Sequence, residues 1–139
     1  KKYQIVNIEN NKLRKADCTV CSAVFMHADK PYKLFKNIFS STKKIIIIRT
    51  FFDLKKSNKV QTKAVLKSFN VNQFPFKKIS SLFKKNGFDT YFILDEATNY
   101  SKKIQKVNNN SKNKRSMYIL VGIKFSKKTI YSSRKIIKN

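Results

Sequence analysis

PFKKISSLFKKNGFDTYFIL (75–94) is the stretch that decides what kind of fold this chain can build. Phe76, Ile79, Leu82 and Phe83 recur at helical spacing on one face, with Lys77, Lys78, Lys84 and Lys85 on the other. Gly87 stands where a helix ends on a left-handed residue. FDTYFIL (88–94) then reads as a strand, with Phe88 and the 91–94 run supplying its apolar side. A helix that stops and passes straight into a strand predicts an α+β arrangement.

Working outward, KKIIIIRTFF (43–52) is a β-branched run and predicts a buried strand. PYKLFKNIF (31–39) starts on a proline and places Leu34, Phe35, Ile38 and Phe39 on one side, the pattern of an amphipathic helix. ADCTVCSAVFMHA (16–28) and KVQTKAVLKSFNV (59–71) each suit a helix or a strand, and KYQIVNI (2–8) reads as a short strand. Downstream, NYSKKIQKVNNNSKNK (99–114) is Lys/Asn-rich and predicts a long loop. MYILVGIKF (117–125) and TIYSSRKII (129–137) predict a hairpin around the turn SKK. The expectation is a small mixed or antiparallel sheet, two or three amphipathic helices on one face of it, and Lys-rich loops. Residues 1–53 would form a partly packed N-terminal extension. Residues 54–139 would form a basic α+β RNA-binding domain with a long polar loop at 97–115.

The charge balance directs the search for a partner. The 139 residues carry 32 Lys+Arg against 7 Asp+Glu, a net +25. That much like charge repels itself in a compact monomer, and a polyanion relieves it. The charge is uneven: residues 54–88 and 97–139 hold no acid at all, and an acidic island at Asp89, Asp95 and Glu96 separates them. Lys, Asn, Ile, Phe and Tyr abound while there are only 2 Gly and 2 Pro, the composition of an A+T-rich gene such as an organellar one. Part of the Lys excess is therefore codon drift, and Lys is a phosphate point charge rather than a bidentate base reader. No apolar run approaches the ~20 residues of a membrane-spanning helix, and the start has no hydrophobic core of a secretory signal.

Chemistry-bearing motifs are few. Cys18 and Cys21 have the two-residue spacing that can bring two thiolates to one metal, with His27 six residues on. Those are all the Cys and His in the chain, so a zinc site would need a carboxylate (Asp17 or Asp29) or a neighbouring chain's ligands. The alternative is core packing among Ala16, Val20, Ala23, Val24 and Phe25, since Cys is among the most buried residues. A single His without an orienting acid, and carboxylates too few for a two-metal centre, argue against an enzyme. Two glycines cannot build a phosphate loop. No cofactor is expected beyond a shared zinc, and no small-molecule substrate.

The basic residues carry more weight. Lys77, Lys78, Lys84 and Lys85 on the helix, Lys102, Lys103, Lys106, Lys112, Lys114 and Arg115 in the polar loop, and Lys127, Lys128, Arg134 and Lys135 at the end could each neutralise a phosphate. Over FKKISSLFKKNGFDTYFILDE (76–96) and YILVGIKFSKKTIYSSRKIIKN (118–139) the chain resembles the N-terminal half of the small-subunit ribosomal protein eight family. Leu82, Lys84, Gly87 and Phe88 match its Leu-Lys-x-x-Gly-Phe-Ile helix end, with Asp89 in place of Ile. Ile123, Lys124 and Phe125 match its Leu-Lys-Tyr step, and Arg134, Lys135, Ile136 and Ile137 approximate its Arg-Ile-Ser run. Leu54 to Val65 corresponds loosely to that family's first helix and strand. The family's second domain, with its Ser-Thr-Ser-Lys-Gly loop, has no counterpart here, which implies a truncated or split version. LKSFN (66–70), KKNG (84–87) and KRSMYI (114–119) resemble small-subunit ribosomal protein ten less closely.

The resemblance implies a structural constituent of the small subunit of a mitochondrial (or plastid) ribosome, acting in translation as an rRNA-binding protein among neighbouring ribosomal proteins. The alternative is a lineage-specific docking or assembly factor of a mitochondrial ribonucleoprotein complex.

Overall fold

The computed structural model describes residues 7–53, 61–66, 69–99 and 116–124. Strand β1 (Ala16–Ser22) leads through a 3-10 turn (Phe25–His27) to helix α1 (Pro31–Ser41) and strand β2 (Thr42–Asp53). Strands β3 (Gln61–Leu66) and β4 (Phe69–Pro75) form a hairpin ahead of helix α2 (Phe76–Lys85). Strand β5 (Asp89–Leu94), the single turn α3 (Glu96–Asn99) and strand β6 (Ser116–Ile123) complete the order.

The isoleucine run is the centre of the sheet. One edge of β2 pairs in parallel with β1 along Thr42 to Arg49, and with β4 at Phe52 and Asp53. Its other edge pairs antiparallel with β6 from Ile45 to Phe52, and β6 in turn pairs antiparallel with β5. Strands β1, β2 and β5 therefore run the same way, and β6 is inserted in reverse between β2 and β5. This is the expected α+β architecture with a mixed sheet.

Alternation along β2 sorts its two faces. Ile46, Ile48 and Phe52 are fully or almost fully buried, and pack with Leu34, Phe35 and Ile38 of α1, Ile79 and Phe83 of α2, and Leu120 of β6. Both main helices thus cover one face, as the helix stripes required. Phenylalanine fills the layer: Phe35 meets Phe74 edge-on at 5.7 Å, and Phe39 meets Phe83 at 4.9 Å. Such edge-to-face pairs add to plain area burial. Gly122 is required here for space, because a Cβ on it would lie 2.5 Å from a Phe83 ring carbon.

The end of α2 is a Schellman motif. Gly87 has φ +80°, its N–H donates to the Lys84 carbonyl at 3.0 Å, and the Phe88 N–H donates to the Phe83 carbonyl at 3.1 Å. Phe88 then packs on Phe83 and leads into β5.

Several local expectations change. Residues 16–28 resolve into strand plus 3-10 turn, and the ambiguous 59–71 stretch contributes the β3–β4 hairpin rather than a helix. Asn7 to Asn11 form a turn where a strand was expected over 2–8; residues 2–6 of that stretch lie outside the described residues. The partners of β6 are β2 and β5, while the expected return strand at 129–137 and most of the loop at 99–114 lie outside the described residues. Strands from either side of residue 53 share one sheet. Among the described residues no helix is long and apolar enough to cross a membrane.

Candidate functional site at the carboxyl edge of the sheet

Open sheets with parallel strands bind ligands beyond the carboxyl ends of those strands. Here that edge is formed by Ser22 at the end of β1 and Ala23 after it, Asp53 at the end of β2, Asp95 after β5, and the start of β6. The chain leaves β1 sharply. Ala23 has φ 59°, in the left-handed region, while its N–H still donates to the Arg49 carbonyl at 2.9 Å. That bend throws Phe25 into the helix-side core and Met26 to the opposite face, where it packs with Phe51 and Met117.

Two polar devices hold this edge. Buried Asn72 of β4 donates to the carbonyls of Phe25 (3.1 Å) and Ala28 (2.6 Å), tying the hairpin to the 3-10 turn. Asp95 caps α3, accepting from the Thr98 N–H at 3.2 Å and the Thr98 hydroxyl at 2.7 Å. It also accepts from Arg49 Nε at 2.7 Å, and the Arg49 fork reaches the Thr98 hydroxyl as well. The Thr98 hydroxyl, and after it Arg49, hold the Asp95 carboxyl below its ordinary value against the opposing effect of burial. Asn99 continues the clamp, exchanging two 2.9 Å hydrogen bonds with the Met117 backbone as a neighbouring strand would. Sequence reasoning missed these residues. The one signal was an acid-capped turn, Asp95 with Thr98 three residues on, after a strand.

The residues singled out from sequence lie elsewhere. Lys77, Lys78, Lys84 and Lys85 are all exposed along α2. Lys77, Lys78 and Lys85 line a shallow groove with Tyr32 and Leu82, and the Lys78 ammonium sits 4.8 Å from the Tyr32 ring centroid. Lys102, Lys103, Lys106, Lys112, Lys114, Arg115, Lys127, Lys128, Arg134 and Lys135 lie outside the described residues. Cys18 and Cys21 point to opposite faces of β1. Cys21 is buried, with its thiol pushed up by that burial, and Cys18 is exposed. His27 is exposed in the 3-10 turn, and among the described residues no group of three His, Cys, Asp or Glu could hold a metal ion.

No family model matches the sequence, and no curated protein matches it. Solved structures do match the fold. The magnesium protoporphyrin IX methyltransferase (ChlM) from Synechocystis PCC 6803 with bound SAM aligns at 13% identity and TM-score 0.50, over 86% of this chain and 44% of that one. The N-terminal domain of EvdMO1 in the presence of SAH and D-fucose aligns at 14% identity and TM-score 0.55, over 88% of this chain and 54% of that one. The chain spans about half the length of the solved structures it matches.

This likeness corrects the ribosomal reading. The fold is like that of about half of each of these solved structures rather than that of small-subunit ribosomal protein eight or ten, and the local match at 76–96 reflects a helix cap entering a strand. With it fall the structural role in translation, rRNA and neighbouring ribosomal proteins as partners, and the alternative of a ribonucleoprotein assembly factor. The exclusions of an enzyme, of a cofactor beyond a shared zinc and of a small-molecule substrate fall too. The solved neighbours are methyltransferase structures crystallised with SAM or SAH.

Proposed function

We propose that this chain is part of a methyltransferase-type domain, providing the section of its sheet in which a reversed strand lies between two parallel ones. The observation that supports this is topological: β1, β2 and β5 parallel, β6 reversed between β2 and β5, and both main helices on one face, in a chain superposing on half of each solved neighbour. A shortage of metal ligands and phosphate loops does not exclude this chemistry. Methyl transfer from a sulfonium needs neither, because the leaving group is already activated and positioning does the rest.

The described residues do not by themselves fit the cofactor. Gly87 follows α2 and Gly122 lies under Phe83, so neither offers a close backbone approach at the carboxyl edge. The space outside β1 and β2 is filled by Phe25, Phe74 and Asn72, all buried. Asp95, which could otherwise take sugar hydroxyls, is committed to Thr98 and Arg49. The cofactor wall therefore belongs to residues other than these. The exposed lysines of α2 and the net +25 support an anionic methyl acceptor, and the A+T-biased composition supports a mitochondrial setting.

The test is S-adenosylhomocysteine binding by calorimetry, with methyl transfer from labelled S-adenosylmethionine, on the protein isolated from its source. Saturable binding and transfer are expected. A folded protein that neither binds nor transfers would overturn the reading.

A further inference from the structure

Helix α2 turns a polar stripe toward β5. Lys77, Ser80, Ser81 and Lys84 recur at i, i+3, i+4 and i+7, so they share one side of the helix. With Asp89 and Thr90 of β5 they border a groove of about 580 Å³. Its floor is aromatic. Phe88 is buried beneath it, while Phe76 and Phe92 meet edge-on at 4.5 Å and are each only half-buried. The polar groups are sorted along its length. Across the middle, the Thr90 hydroxyl donates to Ser80 Oγ at 3.3 Å, which leaves the hydrogen of Ser80 to point at a ligand. Lys84 and Asp89 stand together at the end near the Gly87 turn, so opposite charges share that end. Lys77 stands at the other end, beside Phe76, and makes no ion pair among the described residues. The stretches outside the described residues hold no Asp or Glu, so they bring no side-chain carboxylate to it.

We propose that the α2–β5 groove binds a small aromatic anion, a flat ring system carrying one carboxylate or phosphate. The ring packs on the exposed edges of Phe76 and Phe92, where offset and edge-to-face contacts are favourable. The Lys77 ammonium takes the anion as a point charge, which suits a carboxylate and a phosphate alike, and the Ser80 hydroxyl donates a second hydrogen bond. Asp89 supplies an acceptor for a hydroxyl or amine at the far end of the ligand. Both halves of the ligand are needed. An inorganic anion leaves the phenylalanine edges in water, and a neutral ring leaves Lys77 unmatched. The volume is of the size that receives small molecules, and an apolar floor with a few convergent polar groups is the usual form of such a site. The inference goes beyond the methyltransferase reading and does not depend on it, because the groove is built by α2 and the first part of β5 rather than by the carboxyl edge.

The test uses 2-naphthoate as the probe and 2-naphthamide as its neutral counterpart, titrated into the full-length protein by calorimetry and by amide NMR shifts. The expected result is saturable binding of naphthoate, with the shifts confined to residues 76–92, and binding of naphthamide at least tenfold weaker. Lys77→Gln should weaken naphthoate about tenfold, the loss of one charge-assisted contact, and leave naphthamide unchanged. Lys33→Gln removes the same charge from an exposed side chain on α1 that bonds to Asn10, and should leave both affinities as they were. Ser80→Phe fills the groove and should abolish binding; the Lys77 and Lys33 variants, at exposed positions, decide the matter if that variant does not fold. The proposal is overturned by a folded protein that shows no saturable binding, whatever fills the groove. It is overturned equally by naphthamide binding as tightly as naphthoate, by shifts centred elsewhere, or by equal losses in Lys77→Gln and Lys33→Gln, which would mean that only the overall field attracts the anion. The titration contains no S-adenosylhomocysteine, so its failure leaves the methyltransferase reading standing, and failure of S-adenosylhomocysteine to bind leaves this one.

Discussion

Gly122→Ala tests the layer on which the whole topology depends. A Cβ at this position would lie 2.5 Å and 2.6 Å from two ring carbons of Phe83, and 3.7 Å from the Ile46 Cβ. The ring cannot simply swing away, because Phe83 is fully buried and packs edge-on against Phe39 and Phe35. Either α2 lifts off the sheet or β6 shifts against β2. Overpacking of this kind costs about 1–3 kcal/mol, partly offset by the lower chain entropy of Ala in a strand. For a domain of this size that is roughly a 4–10 °C fall in Tm. The assay is urea unfolding followed by circular dichroism for Gly122→Ala, Phe83→Leu and the double variant. Phe83→Leu alone is destabilising, by loss of packing. In the double variant the smaller side chain makes room, so the two costs sum to less than their parts, with a coupling of about 1 kcal/mol or more. Strict additivity, or an unchanged midpoint for Gly122→Ala, would mean that α2 does not lie across β6, and the helix-covered face would have to be redrawn.

Other perturbations follow from the polar devices. Asn72→Ala removes the donor that serves two carbonyls and should cost about 2–3 kcal/mol; Asn72→Asp, which turns an acceptor on both, should cost more, and the reverse order in urea unfolding would refute the assignment. Thr50 is fully buried with its hydroxyl unbonded, so Thr50→Val should be neutral or stabilise by about 1 kcal/mol, read as a raised Tm. Asp95 has a depressed carboxyl, so its stabilising contribution is present above the unfolded value of ~3.9 and lost as pH falls through the native one. The stability gap between the parent and Asp95→Asn should therefore shrink as the pH falls below the unfolded value, and a gap constant with pH would exclude the network. Cys18 should react with maleimide well ahead of Cys21, whose thiol burial holds protonated.

Much of the fold was legible because it depends on local periodicity. The stripe Phe76, Ile79, Leu82 and Phe83 gave α2, the Pro31 start and the stripe after it gave α1, and the β-branched run gave β2. What failed is non-local. The order of strands is set by which edge each one finds, and nothing between 42 and 53 says that one edge of β2 takes β1 and β4 while the other takes β6 in reverse. Residues 16–28 could not be assigned from pattern because β1 alternates weakly and then bends at Ala23, a positive φ that no glycine announces. The polar clamp was equally hidden. Arg49 and Asp95 are 46 residues apart in sequence and meet only because β2 and β5 flank the same strand.

The ribosomal resemblance shows how local chemistry can imitate ancestry. Leu82, Lys84, Gly87 and Phe88 are what a helix needs to stop and enter a strand: a residue free to take φ +80°, a bulky C″ residue packing back on the last turn, and cations near the carboxyl end of the helix. Any α+β chain that turns from helix to strand this way will reproduce the motif, so the match reports a cap and says nothing of the strand order beyond it. The charge behaved alike. Its magnitude carries a mutational component shared by every protein of an A+T-rich genome, and a long-range field fixes the sign of a partner without fixing its class. Strand direction is the discriminating observable, because reversing β6 between β2 and β5 alters which strands can be joined by helices on one face and which face is left bare. Among the described residues that strand order leaves Val20, beside Ile47 in the parallel β1–β2 pair, exposed on the face away from the helices, a feature that the lysines do not report.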